Sequence, residues 1–344
     1  MKIKSVLYIL SALLLVQLQA CFVDDDSHVQ DTAKTNFNAL WHIVDEHYCF
    51  FEYKGVDWDS VYNYYAPRVN DDISDQDFFN LCGEMLASLQ DGHVNLASAF
   101  ASSYYWKWFQ DYPVNYDERI VHENYLNFDF YQAGGITYKK LCENIGYIYY
   151  DSFSSSISPT TLDYILAHFI TCDGLIIDVR NNGGGSLSNV EVIASRFIDA
   201  PILAGYIQHK TAPAHDALSE PYAYYYRPAE GHILYGKPVV VLTNRHTFSA
   251  ANNFVQVMKS LPQVTIIGDR TGGGSGLPFT YNLPNGWNLR LSASPILDAD
   301  GNDTEWGIDP HIKVDMAPDA YQTGRDAILD CAIECIAQQQ YIMK

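Results

Sequence analysis

Residues 238–261 read PVVVLTNRHTFSAANNFVQVMKSL. Residues 239–242 form an unbroken apolar run, the pattern of a strand buried on both faces. A polar turn follows over 243–247, after which Ala250, Phe254, Val257, Met258 and Leu261 recur at helical spacing. Ser249 therefore stands where a buried strand gives way to a helix. Unpaired backbone N–H groups and the positive end of the helix dipole meet its hydroxyl at such a junction. A nucleophile whose reaction builds negative charge on a neighbouring oxygen suits that place. So does a plain helix-capping serine, which is common there.

Outward from this stretch the same alternation continues. Strands are expected at 145–153 (IGYIYYDSF), 174–179 (GLIIDV), 264–267 and 289–297, and helices at 159–171, 187–198 and 324–338. Strands interleaved with helices over 144–340 predict an α/β core. Upstream, Phe37, Leu40, Trp41 and Val44 form one helical stripe, and Phe78, Leu81, Cys82, Met85, Leu86 and Leu89 another. Residues 34–93 thus read as a small helical N-terminal lobe ending at Asp91-Gly92-His93. Residues 94–143 read as a connecting segment of short strands. The tyrosines of 222–226 read as an exposed aromatic loop, with a ligand groove as the other possibility.

The 344-residue chain carries a formal charge of −20 at pH 7, which argues against nucleic acid or an anionic membrane surface as partner. Lys2 and Lys4 precede a short apolar run over 6–16, too short to span a bilayer, so residues 1–20 read as a secretory leader. Leu18-Gln19-Ala20-Cys21 resembles the bacterial lipobox, which implies lipidation at Cys21 and a tether over 21–33. An exported lipoprotein follows, facing the periplasm or displayed on the outer cell surface. The six other cysteines form no close CxxC pair, so no zinc site is indicated, and buried thiols are expected of them.

Several polar turns offer chemistry. Arg180-Asn181-Asn182-Gly183-Gly184-Gly185 follows one expected strand and precedes a helix, so its amides suit an anion. It lacks the GK[ST] and GxGxxG endings of nucleotide loops, which leaves a developing oxyanion, held by the N–H groups of Gly184 and Ala250, as the alternative use. His93 is the first candidate for the base a serine needs, and His246, on the serine's own turn, the second. Asp298, Asp300, Asn302 and Asp303 fail the EF-hand spacing and read as a solvated turn. Glu305 borders a packed segment, where a carboxylate is placed to orient an imidazole.

Seven stretches in order resemble the C-terminal-processing (tail-specific) serine proteases, above all their tricorn-core-like branch. They are FNALWHIVDEHYCFFEYKGVDWDSVY, LASLQDGHV, GLIIDVRNNGGG, VVVLTNRHTFSAAN, IIGDRTGGGSGLP, EWGIDPHIKV and GRDAILDCAIECI, spanning roughly residues 35–338. The resemblance implies a crotonase-like spiral of ββα units, with Ser249 as nucleophile, His93 as base, Glu305 as carboxylate, and Gly184 and Ala250 as oxyanion donors. It implies a peptide or protein substrate and no metal or organic cofactor. Three departures stand out. Gly274 occupies the place of the lysine that bacterial processing enzymes use as base. Gly92 occupies the place of the serine that precedes the histidine in the tricorn branch. Residues 94–143 are too few for the PDZ domain that usually recruits the substrate's tail. A non-catalytic binding protein on the same fold and an esterase using the same triad are the rival readings.

Overall fold

A computed structural model describes residues 31–70 and 72–343; the leader and Cys21 lie outside the described residues. Two sheets and a set of helices make a mixed α/β architecture. The larger sheet has seven strands. In spatial order these are Ile312–Lys313, Val264–Gly268, Val239–Thr243, Gly174–Asp178, Ile145–Tyr150, Ile136–Lys140 and Tyr131–Ala133. The first five run parallel and the last two pairings are antiparallel. All residues of Gly174–Asp178 and Val239–Thr243 are buried, as strands covered by helices on both faces must be. Helices Pro159–Ala167, Leu187–Ala194 and Ala250–Lys259 pack on one face, and Ala327–Met343 on the other.

In the second sheet, strand Asn288–Leu297 is the spine. It pairs with Asn95–Ala97, Gly276–Asn282 and Ile202–Ile207, which brings His93's neighbours beside the core. The helices Ala33–His47, Phe51–Lys54, Trp58–Tyr65 and Asp75–Ala87 occupy the N-terminal part of the described chain. Their apolar faces close over Leu289, Leu291 and Ala293 of that spine, so lobe and sheet share one core. Thr32, Asp57 and Ser74 cap the three longer of these helices through side-chain oxygens.

The tyrosine stretch is not a loop. Tyr222–Tyr226 is a strand paired antiparallel with Ile202–Ile207. Tyr226 is buried and the Tyr224 hydroxyl accepts from Asn253 at 2.9 Å. Tyrosine suits a half-buried pleated strand, and that local preference outweighed the turn residues on either side. None of the six described cysteines forms a disulfide: Cys49, Cys82 and Cys172 are buried, Cys331 and Cys335 half-buried, and Cys142 exposed.

Candidate active site

The turn between strand Val239–Thr243 and helix Ala250–Lys259 is bolted to its neighbours. The Asn244 side chain accepts the Asn181 and His246 amides, and the Thr247 hydroxyl donates to the Val179 carbonyl at 2.9 Å. Ser249 ends the turn with φ 58° and ψ −122°, a backbone state that non-glycine residues adopt only when the surroundings impose it. Its amide donates to the Gly273 carbonyl at 2.8 Å. The side chain makes no capping bond to the helix. Instead its Oγ lies 2.9 Å from Nε2 of His93, so the plain capping reading fails.

His93 reaches that position from a tight turn. Its own amide donates to Oδ1 of Asp91 at 2.7 Å, and its ring rests on Phe248 with centroids 4.7 Å apart. The ring is buried, and burial pulls its pKa down to about 4, Asp91 opposing the fall while Arg290 and Lys54 add to it. The imidazole is therefore neutral at pH 7, the form that accepts a proton. Its Nδ1 is buried with no hydrogen-bond partner among the described residues. His246 packs on Phe109, with centroids 3.8 Å apart, and makes no bond to Ser249.

Glu305 does not touch the imidazole. Its Oε1 accepts from Lys54 Nζ at 2.8 Å and its Oε2 from the Ser275 amide at 2.9 Å. The loop that carries it is tied to the nucleophile's helix, because Asn252 donates to Thr304 Oγ1 and accepts from Thr271. Lys54 bridges onward to Asp91 at 3.4 Å, and Tyr48 donates to the same Asp91 oxygen at 2.9 Å. Asp91 is thus the carboxylate beside His93, and Lys54 is the link between it and Glu305. All three side chains are nearly inaccessible, at 2% for Lys54, 0% for Asp91 and 3% for Glu305. Burial would lower Lys54, yet the two carboxylates hold it above its ordinary value. Against the upward push of burial, Lys54 holds Asp91 below the usual carboxylate range. Burial lifts Glu305 to about 8, with Lys54 opposing and Asp91 assisting. One ammonium serves two carboxylates, and burial favours a proton on Glu305 over one on Asp91.

The oxyanion donors also need a correction. The Gly184 N–H is already taken, donating to Asn182 Oδ1 at 2.9 Å within the glycine turn. Gly184 serves the site by its lack of a side chain: a Cβ there would stand 2.7 Å from Ser249 Cβ and 2.8 Å from the Ala250 nitrogen. The Ala250 N–H has no acceptor among the described residues, which leaves it open to a substrate oxygen.

Both glycines that depart from the family pattern have steric causes. A Cβ on Gly92 would meet Trp108 Nε1 at 2.6 Å and Phe248 Cζ at 2.9 Å, so the indole fills the space of the absent serine. A Cβ on Gly274, which has φ 79°, would meet the Phe248 ring at 2.5 Å. Two cavities flank Ser249. One is lined by His93, Trp106, Trp108, Phe109 and Arg290, the other by Asn253, Gln256, Leu277, Thr304 and Arg290.

Comparison with known proteins fits this geometry. The family model for peptidase family S41 matches residues 144–314, and that for the tricorn protease C1 domain matches residues 30–87. The crystal structure of a presumed peptidase from Parabacteroides merdae is 48% identical, covers 89% of this chain and 97% of that one, and superposes with a TM-score of 0.86. The chain belongs to peptidase family S41. Within S41 it is similar to the tricorn protease of Thermoplasma acidophilum, 30% identical over 169 residues covering 48% of this chain and 14% of that protein. It is also similar to the carboxy-terminal processing protease CtpA of Bacillus subtilis, 28% identical over 178 residues covering 50% of this chain and 35% of that protein. The chain spans well under half the length of these two curated relatives. Reasoning from motifs missed Lys54 in this S41 site, although it lies within the first of the seven matching stretches, at the end of a four-residue helix.

Proposed function

We propose that the chain is a serine peptidase that cleaves peptide bonds through an acyl-enzyme on Ser249. The observation that carries this reading is the 2.9 Å contact between Ser249 Oγ and a buried, neutral His93 Nε2 at a strained strand-to-helix corner. Ser249 Oγ attacks the carbonyl carbon while its proton passes to His93 Nε2. His93 then returns that proton to the leaving amine, and a water activated by the same nitrogen releases the acyl group. The Ala250 N–H supplies a donor to the oxyanion. Ionised Asp91, whose charge already raises the His93 pKa, favours the imidazolium as it forms. Glu305 acts at one remove: by holding Lys54 it fixes Asp91, and through Asp91 the histidine turn. The parallel strands and helices of the core support a crotonase-like spiral as its lineage.

Fluorophosphonate labelling and hydrolysis of peptides with free C-termini test the reading. Ser249→Ala is expected to abolish labelling and to lower kcat by roughly 10⁴-fold or more, as loss of a serine nucleophile does. Hydrolysis that survives the substitution would remove the proposal. A protein that never reacts with the probe would point to a binder.

A further inference from the structure

Six arginines of this acidic chain sit against carboxylates: Arg68, Arg119, Arg180, Arg196, Arg270 and Arg325. Arg227, Arg245 and Arg290 do not, and of these three only Arg290 lines the cavities that flank the nucleophile. The Arg290 side chain makes no hydrogen bond or ion pair among the described residues. It lies on strand Asn288–Leu297, with its Cα directly opposite that of Asn95, two residues beyond His93. It lines both cavities that flank Ser249, and no aspartate or glutamate lines either one. The buried Asp91 attracts this guanidinium from a distance without touching it, and no acidic side chain lines the two cavities, so a molecule of net charge −20 offers an anion a place at its reacting corner.

We propose that Arg290 anchors a substrate carboxylate close to the bond that is cut, supplied by the free C-terminus or by an aspartate or glutamate side chain. The inference rests on the peptidase reading and names the charge of its substrate. A guanidinium offers a planar fork that a carboxylate fills with two parallel hydrogen bonds. Beside it, Asn95 Oδ1 is buried without a partner among the described residues and is placed to accept a peptide N–H. Docking an anion there also cancels one of the two positive charges that depress His93, so the base strengthens as substrate arrives.

Binding separates this inference from catalysis. In the Ser249→Ala protein, where turnover is removed, fluorescence anisotropy compares two pairs of labelled peptides. One pair ends in a free acid or an amide; the other carries glutamate or glutamine near its centre. One pair is expected to show acid preferred over neutral by roughly ten- to a hundredfold, the worth of a hydrogen bond to a charged group. The pair that shows it identifies the source of the carboxylate. Adding Arg290→Gln brings that ratio to about one, and Arg290→Lys restores part of it, because a point charge lacks the fork. Circular dichroism confirms that each variant is folded. Equal affinity within both pairs, no binding of any peptide, or a preference that survives Arg290→Gln would overturn the inference. A preference for acid in a protein that fluorophosphonate does not label would leave the anchor standing and remove the peptidase reading.

Discussion

Twice among the described residues two buried carboxylates flank one buried cation, and the two clusters behave differently. Around Arg180, Asp178 takes the guanidinium from Nε and Nη2 and Asp326 takes Nη1 at 2.7 Å. Tyr147 donates to Asp178, while Asp326 Oδ1 accepts the Ile328 and Leu329 amides at the start of the last helix. Every charge there is held in a fixed fork, and the cluster ties the central sheet to the C-terminal helix. Around Lys54 the cation is a single ammonium on a flexible stem, and Glu305 is pushed to about 8. The same count of charges makes a rivet in one place and a titratable group in the other. The difference lies in whether the cation's geometry satisfies both acids.

Breaking the rivet should have the largest effect. Arg180→Met leaves two uncompensated buried carboxylates and is expected to cost about 3–5 kcal/mol of stability, read from chemical denaturation. A loss within 1 kcal/mol would show that the Arg180 cluster does not hold the sheet to the last helix.

Next comes the softer cluster. Lys54→Met is expected to lower kcat/KM by roughly a hundredfold, the scale of a disturbed general base, while the protein stays folded. Lys54 also depresses His93, so the acid limb of the kcat/KM profile, near pH 4 in the parent protein, should move upward in the variant. Lys54→Arg should recover part of the rate. A rate loss with an unmoved acid limb would reduce Lys54 to a packing role.

The smallest effect is a slope. Glu305's folded pKa of about 8 lies above its ordinary 4.5, so the folded state keeps a proton that the unfolded chain loses. Its stabilising contribution is full below pH 4.5 and fades as pH rises through 8. His93 runs the other way, its contribution fading as pH falls from 6.5 through about 4. Between pH 6.5 and 8 only the glutamate's effect remains of the two. Denaturation midpoints over that window should fall in the parent protein and fall less in Glu305→Gln; parallel slopes would place the proton elsewhere.

The α/β core and the strand-to-helix corner at Ser249 were legible because each rests on local pattern: an apolar run, a helical stripe, a short polar turn. Motif order joined Ser249 to His93 across 156 residues, as the 2.9 Å contact now does in space. What it could not show was where Glu305's oxygens go, since Lys54 sits 251 positions away and lysines are ordinarily solvated. The Gly184 amide escaped for a related reason. The glycines advertise free N–H groups, but the asparagine two residues earlier consumes one of them. Residues 222–226 misled because tyrosines between prolines read equally as loop or as edge of a sheet.

The torsion at Ser249 also narrows the chemistry this scaffold can host. With φ at 58°, a side chain branched at Cβ crowds its own backbone, whereas an unbranched one is tolerated. A thiol fits the corner in place of the hydroxyl; a threonine does not. The corner admits nucleophiles by shape before it admits them by reactivity.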